Sequence, residues 1–459
     1  MINVFGHWIS WKTILQVILD IVFPVACVVL AVSFWEGGEP TTNLKTIVIC
    51  SVIYALIMVV LNYWLGLYDR MVKRRRARAV LSIYLSIPIA YCIFAVLSML
   101  SVNDQQKLLI LSSLAALFGT LAYRVYTMYS NAGKLFVNRV LIFGVGPEAR
   151  IVGKMLKKMT ADVQIIGFYP GPSESKISVS RHLHLPRSRS LLETAQELNV
   201  NEIVIAVQER RGGVLPLHEL LDCKLSGIDV LDLASYFERA LGQIRLDSLK
   251  AGWLIFGDGF RQSLLRIFVK RVSDIIAAII LLLLASPVAF VAALLIVIED
   301  GFPIFYTQER VGLNGRFFKV VKFRSMRRDA ESDGKPRWAT SNDDRTTRVG
   351  RIIRKLRIDE LPQLFSVLKG DMSLVGPRPE RPYFVEKLTR DIPFYAVRHS
   401  VKPGLTGWAQ VSYSYGASMD DSVQKLQYDL YYVKNHTLFL DVLILFETIG
   451  VVLTGKGAQ

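Results

Sequence analysis

The sequence predicts a membrane protein of α plus α/β class. It divides into a four-helix transmembrane bundle (residues 1–130), a Rossmann-like α/β module (137–259) and a C-terminal α/β domain (260–459) carrying one further membrane helix (274–298). Three observations predict this. Four apolar runs of membrane-spanning length open the chain, at 13–34, 44–67, 80–100 and 108–126. A middle stretch then alternates strand-like and helix-like segments after a glycine-rich turn. Finally, the C-terminal region begins with an apolar run, 275–298, broken by Ser286-Pro287, and turns strongly basic beyond it.

Composition agrees with a membrane setting. The 459 residues are 52% hydrophobic with a formal charge of +16, and the mean hydropathy is +0.35. Such a positive balance suits anionic lipid headgroups and a diphosphate substrate. No basic–aromatic motif speaks for nucleic acid. Cys27, Cys50 and Cys92 lie in apolar runs and Cys223 in the α/β stretch, with no Cys-x-x-Cys, so neither a disulfide framework nor a zinc site is indicated.

The loops between the first four runs orient them. Residues 35–43 carry Glu36 and Glu39, and 101–107 a single lysine, whereas Asp69-Arg-Met-Val-Lys-Arg-Arg-Arg-Ala-Arg78 is densely basic. By the positive-inside rule that loop is cytoplasmic, and so are both ends of the bundle. The first run is long and followed by further spans, unlike a cleaved signal peptide. Few ionisable groups lie inside the runs, which predicts anchoring or dimer-forming helices rather than a transport path.

In the middle region, Val140-Leu-Ile-Phe-Gly-Val-Gly-Pro-Glu-Ala149 reads as a buried strand turning into a helix. Further strands fit 163–169, 202–207 and 228–231, with helices at 190–199 and 217–226. Gly144-x-Gly146 would suit a dinucleotide pyrophosphate. The second strand, however, ends Phe168-Tyr169-Pro170 with no acid for a ribose hydroxyl. A structural or regulatory spacer is the alternative to a cofactor module.

The run 275–298 would reach roughly 36 Å as a straight helix, enough to span. Proline in mid-helix removes a backbone hydrogen bond, and seven Arg or Lys follow between 310 and 328, which keeps that segment cytoplasmic. A helix–break–helix entering and leaving by one face, bent at Ser286-Pro287, reconciles these facts; a kinked spanning helix is the alternative. Beyond it, 317–326 reads as extended with Lys322 and Arg324 on one face, 330–344 as a mobile loop, and 380–399 as mostly helical. Residues 404–410 read as a turn followed by a strand. The run 437–454, with Asp441 and Glu447, reads as an amphipathic helix in the membrane interface or as one packed inside the domain.

The chemistry centres on the stretch 351–379. Asp359 and Glu360 stand between Arg351, Arg354, Lys355 and Arg357 on one side and Gly-Pro-Arg-Pro379 on the other. Pro362 fits the first turn of a helix and Gly370 its end, so the carboxylates precede a helix N-terminus, which favours anions. Carboxylates among arginines suit metal-assisted phosphoryl transfer; surface ion pairs would give the same local pattern.

The longer motifs carry a resemblance. Lys322-Phe-Arg-Ser-Met326, Leu356-Arg-Ile-Asp-Glu-Leu-Pro-Gln-Leu364 and Leu368-Lys-Gly-Asp-Met-Ser-Leu-Val-Gly-Pro-Arg-Pro379 stand in order, followed by Val401-Lys-Pro-Gly-Leu-Thr-Gly-Trp-Ala-Gln-Val411 and Tyr428-Asp-Leu-Tyr-Tyr-Val-Lys-Asn435. From Lys270 to the C-terminus the chain thus resembles the polyprenyl-phosphate glycosyl-1-phosphate transferases, the bacterial sugar transferases. The resemblance implies a catalytic domain with a re-entrant, monotopic helix, working on the cytoplasmic face of the bacterial inner membrane. It implies a UDP-sugar donor, an undecaprenyl (polyprenyl) phosphate acceptor, UMP as product, Mg²⁺ or Mn²⁺ as cofactor, and a place at the first membrane step of exopolysaccharide or capsule synthesis.

Carried over by position, the resemblance makes Asp359 a nucleophile that forms a phosphoglycosyl–aspartate, with Glu360 as metal ligand beside it. Arg354 and Arg378 would contact phosphate, Lys322 and Arg324 the nucleotide or lipid phosphate, and Asp429 is an acid of the site with no defined role. A homodimer is expected. Readings from other classes are an inert membrane scaffold or a dehydrogenase built on Gly144–Ala149. The intact dyad opposes the first; the missing ribose acid and the lack of a Tyr-x-x-x-Lys-type base oppose the second.

Overall fold

The computed structural model describes residues 2–4, 7–9, 11–34, 44–68, 75–100, 106–129, 137–159, 163–172, 177–187, 190–207, 215–246, 259, 263–328, 330, 345–413, 416 and 418–454. The glutamates at 36 and 39, most of the basic loop 69–78 and nearly all of 330–344 lie outside them. The chain divides into two compact units, one of Met1–Ile2 with Ile9–Leu233, the other of Asn3–Trp8 with Ala234–Gln459.

In the first unit, helices α1 (Trp11–Ser33), α2 (Leu44–Trp64), α3 (Arg75–Leu100) and α4 (Gln106–Tyr129) pack each against its neighbours. Within the described residues, Thr13–Ser33 and Ile47–Trp64 are long and apolar enough to cross a membrane, and Ala79–Ile93 and Ile110–Tyr126 are shorter apolar helices. Gly119 lets α4 approach α1 closely, because a Cβ there would lie 2.9 Å from the Phe23 carbonyl oxygen. Polar groups inside the bundle bind one another: Arg124 reaches Asp20 at 2.7 Å, Tyr68 donates to the same carboxylate, and Ser82 donates to Asn62 at 2.5 Å. All four helices contribute, α2 twice through Asn62 and through Tyr68 beyond its end, which meets the demand that polar groups in an apolar bundle find partners.

Two short strands, β1 (Ile2–Val4) and β2 (His7–Ile9), open the chain, and the first unit also holds a parallel sheet of β3 (Asn138–Phe143), β4 (Val163–Tyr169), β5 (Glu202–Ile205) and β6 (Asp229–Asp232), in the order β4-β3-β5-β6. Helices α5 (Pro147–Met159), α6 (Leu191–Glu197) and α7 (Leu217–Leu225) connect the strands. Gly144 takes φ +132° at the turn after β3. There the Ser178 N–H donates to the Val145 carbonyl at 2.8 Å, so another stretch of chain crosses the glycine turn.

The second unit begins with α8 (Leu233–Leu241), whose first residue belongs to the other unit. Helix α9 (Leu264–Asp300) follows as one helix of 37 residues through Pro287. The interruption expected at Ser286-Pro287 is thus absent, and a bend there is a kink within one continuous helix. Proline cannot donate to the Leu283 carbonyl four residues back, but the Ser286 hydroxyl donates to that oxygen at 2.9 Å and keeps the turn satisfied. Strands β7 (Phe305–Val311) and β8 (Phe317–Phe323) form an antiparallel hairpin. Helices α10 (Arg348–Lys355) and α11 (Gln363–Lys369) flank the short 3₁₀ turn Ile358–Glu360.

Strand β9 (Ser373–Val375) leads, past helix α12 (Pro382–Asp391) and a 3₁₀ turn at Tyr395–Ser400, to β10 (Gly404–Thr406), with which it pairs in parallel. Residues 408–412 form a helix, α13 (Trp408–Ser412), where a strand was expected: Gly407 is extended and its carbonyl accepts from Gln410 and Val411 to start the helix. Helix α14 (Met419–Asn435) starts from a Ser418–Asp421 capping box. Helix α15 (Leu438–Thr454) buries Leu440 and Ile444 in the core that also takes Leu364, Val367, Leu430 and Tyr431, while Val442 and Ile449 face outward. It is therefore packed into the domain on one side. The N-terminal strand His7–Ile9 contributes His7 Nδ1, 2.7 Å from the Tyr431 hydroxyl.

Candidate active site

The dyad sits where two helices meet. Helix α10 ends at Lys355, Arg357 adopts a left-handed φ of +58°, and the 3₁₀ turn then presents Asp359 and Glu360 before Pro362 caps α11. Gly370 ends that helix with φ +99°, where a side chain would be strained. Both carboxylates are buried.

They have different surroundings. Glu360 Oε1 is gripped by Lys322 Nζ at 2.9 Å and Arg378 Nη2 at 3.0 Å, with Arg357 Nη1 at 3.7 Å. Burial pushes its carboxyl up, but the three cations outweigh this and hold it well below the usual carboxylate range. Asp359 is raised to about 6, by burial first and by the Glu360 charge second, against the pull of Lys322, Arg357 and Arg354. One member of the pair is thus a fixed anion and the other a carboxyl that titrates near neutrality, a division found at sites of acid–base and nucleophilic work.

Asp359 lines a cavity of about 620 Å³. Lys322, Arg324, Arg354, Arg378 and Asp429 line the same cavity, so of the catalytic and phosphate-binding residues expected from sequence only Glu360 is absent from its lining. Ten arginines and lysines face three carboxylates (Asp359, Glu380, Asp429) around it, the charge balance of a site for a multiply charged anion.

The roles differ from residue to residue. Arg324 is buried and caps the end of α9: its Nη2 donates to the carbonyls of Asp300 at 3.0 Å and Gly301 at 2.6 Å and pairs with the Asp300 carboxylate at 3.1 Å. Among the described residues its Nη1 has no hydrogen-bond partner. Asp429 pairs with Arg398 at 2.7 Å, both fully buried, and burial raises its carboxyl against that arginine's pull. Arg398 in turn donates to the Arg378 carbonyl at 3.0 Å. Arg354 donates to the Thr346 hydroxyl at 3.2 Å. Ser286 and Pro287 lie in α9, away from the cavity lining.

Sequence reasoning missed Arg310, Arg398 and Lys425. Arg310 donates to the Pro379 carbonyl at 3.2 Å and lies 3.7 Å from Glu380. Lys425 was legible as one face of a helix, because Ser422, Lys425, Leu426 and Asp429 recur at helical spacing and all line the cavity. Its amine donates to the Gly416 carbonyl at 2.6 Å.

A divalent cation would find two adjacent carboxylates here. Among the described residues no group of three His, Cys, Asp or Glu side chains is placed to hold one, and Glu360 Oε1 already serves three cations. The pair offers at most two protein side chains, so a hard ion held there would draw the rest of its shell from water and substrate phosphates.

Comparison with known proteins adds the following. The model of the bacterial sugar transferase family matches residues 265–455. The UDP-N-acetylgalactosamine-undecaprenyl-phosphate N-acetylgalactosaminephosphotransferase of Aeromonas hydrophila is 47% identical over 240 residues, covering 52% of this chain and 56% of that protein. The UDP-glucose:undecaprenyl-phosphate glucose-1-phosphate transferase of Escherichia coli K12 is 33% identical over 290 residues, 62% of this chain and 61% of its own. The protein of that same name from Caulobacter vibrioides is 42% identical over 192 residues, 41% of this chain and 71% of its own. The chain spans less than two thirds of the length of the first two relatives.

Proposed function

This chain belongs to the bacterial sugar transferase family, and from that premise we propose that it moves a sugar-1-phosphate from a UDP-sugar to a polyprenyl phosphate such as undecaprenyl phosphate. The observation that carries the reading is the split dyad: a buried anion, Glu360, clamped by Lys322 and Arg378, beside Asp359, which opens into a cation-lined cavity.

In the proposed reaction a carboxylate oxygen of Asp359 attacks the phosphorus bonded to the sugar. The bond from that phosphorus to the bridging oxygen breaks, UMP leaves, and a phosphoglycosyl–aspartate remains. A phosphate oxygen of the lipid then attacks the same phosphorus, expels the Asp359 carboxylate and gives the polyprenyl diphospho-sugar. Arg354 and Arg378 grip the diphosphate oxygens as charge shifts onto them. Lys322 both neutralises Glu360 and faces the nucleotide phosphate. Arg324, with one guanidinium nitrogen unpartnered at the end of α9, suits the lipid phosphate. Asp359 and Glu360 would hold Mg²⁺ or Mn²⁺, which supplies charge neutralisation for the leaving nucleotide.

The membrane arrangement follows from α9. Its two ends pack on the same unit, Ala278 in one part of the core and Ala292 and Ile296 in another, while Leu283, Leu284 and Phe290 between them are exposed. This pattern supports an apolar middle that enters and leaves by the same face, kinked at Pro287 within the continuous helix, that face being the cytoplasmic one by the charge of the following segment. The relatives' names carry different sugars, so the donor sugar is for experiment. The α/β module, its glycine turn crossed by Ser178, serves as a spacer, and the four-helix unit anchors the protein, as a dimer, at the first membrane step of exopolysaccharide or capsule synthesis.

The test is UMP release from a panel of UDP-sugars by the full chain with Mg²⁺ and undecaprenyl phosphate, beside Asp359→Asn. Metal-dependent release with one donor, lost in the variant, is expected; silence of well-folded protein across the panel would overturn the reading.

A further inference from the structure

The helix Leu264–Asp300 carries three carboxylates; Asp300 pairs with Arg324, and the other two, Asp274 and Glu299, take no part in the proposed chemistry and each grips a different segment of the active site. Asp274 is buried. Its Oδ2 accepts from the Ser373 hydroxyl at 2.7 Å and its Oδ1 from the Leu374 N–H at 3.3 Å. Lys270, one turn earlier, lies 4.0 Å from Asp274 and pairs with Asp441 at 2.7 Å. The Tyr432 hydroxyl is within hydrogen-bond distance of both Asp441 and the Val375 carbonyl. All three residues of the strand Ser373–Val375 are therefore held, and that strand runs directly into Gly376-Pro377-Arg378.

At the other end, Glu299 receives the first two N–H groups of helix α10, Arg348 on Oε1 at 2.7 Å and Val349 on Oε2 at 2.8 Å. Thr347 receives the third, from Gly350, at 2.8 Å. Three of the four N–H groups that a helix start leaves open are thus satisfied, two of them by a side chain from the membrane helix, and the carboxylate also meets the positive end of the helix dipole. Helix α10 bears Arg354 in its last turn, and Asp359 follows. Six residues of helix carry a tilt at Arg348 about 9 Å to Arg354.

We infer that Asp274 and Glu299 are positioning residues, through which the membrane helix sets the places of Arg378 and Arg354 on either side of the substrate phosphates. The inference rests on the proposed reaction and deepens it. The apolar helix then has two tasks: its exposed middle meets lipid, and its polar ends frame the site. Neither carboxylate touches substrate, so their loss acts only through the arginines.

Double-variant cycles on UMP release test this, because residues acting through one another lose activity non-additively whereas independent ones multiply. Glu299→Gln and Arg354→Lys are measured singly and together in the full chain, with the donor the wild type uses; Asp274→Asn and Arg378→Lys likewise. Expected are single losses of about tenfold or more in kcat/KM, double variants within about threefold of the worse single, and multiplying losses for the crossed pair Glu299→Gln with Arg378→Lys. Multiplying losses within the matched pairs, or singles at the wild-type rate, would overturn the inference. Should Asp274→Asn not fold, Ser373→Ala removes the same contact while leaving the carboxylate, and enters the cycle in its place. An active wild type with multiplying matched pairs defeats this inference alone; a wild type silent with every donor defeats the reaction with it.

Discussion

Arg398 and Asp429 form a buried ion pair, Nη2 to Oδ2 at 2.7 Å, and the same nitrogen holds the Arg378 carbonyl at 3.0 Å. Asp429 therefore acts on the site at one remove: it fixes the arginine that fixes the arginine turn. Asp429→Asn keeps the volume and leaves Arg398 buried without a counter-ion, which costs about 3 kcal/mol or more. Denaturant unfolding in detergent is expected to show that loss, with UMP release falling alongside it.

Asp359 supplies a pH signature. A carboxyl raised to about 6 from an ordinary 3.8 is protonated, and not nucleophilic, at pH 5. The kcat/KM of the free enzyme should rise with an apparent pKa near 6. Stability moves the other way: the folded chain binds this proton more tightly than the unfolded one, so the contribution is present at low pH and is lost as pH climbs through the window between 3.8 and about 6. Asp359→Asn should remove that decline while abolishing turnover. Rate profiles across pH 5 to 8 and unfolding midpoints across pH 4 to 7 check both signs.

Gly350 lies in helix α10, where replacing glycine by alanine ordinarily stabilises by about 1 kcal/mol. Here a Cβ would sit 1.9 Å from the Ser325 carbonyl oxygen. The sign is expected to reverse: Gly350→Ala should lower the thermal midpoint and push the Arg354 helix off the β8 hairpin, with lower UMP release.

The one-face placement of α9 predicts a labelling pattern. In a cysteine-free background, Leu265→Cys and Phe302→Cys, both exposed in the structure, should each react with an impermeant maleimide from the cytoplasmic side and neither from outside. Opposite sidedness of the two would mean that the helix spans.

Much of this architecture was legible from local pattern. The strands at 163–169 and within 202–207 were marked by apolar runs, and the dyad's place before Pro362 by helix-start chemistry, because both are properties of neighbouring residues. What was not legible depends on distant partners. Nothing near Arg324 says that it will cap a helix ending at Asp300, nothing near Asp429 names Arg398, and nothing in Glu299-Asp300 beside an apolar run announces a cap for a helix starting at Arg348. The expected break at Ser286-Pro287 failed for a local reason that the sequence did contain: a serine one residue before the proline can donate to the carbonyl that the proline leaves open.

In the proposed reaction Asp359 carries the sugar phosphate from donor to lipid. The most direct test is mass spectrometry of the full chain incubated with Mg²⁺ and its UDP-sugar but no lipid acceptor, then digested under mild conditions. The account predicts one equivalent of UMP per protein and a phosphosugar adduct on the peptide containing Asp359, discharged on adding undecaprenyl phosphate and absent in Asp359→Asn. Turnover to the lipid product with no adduct on any peptide, or undiminished in that variant, would contradict it.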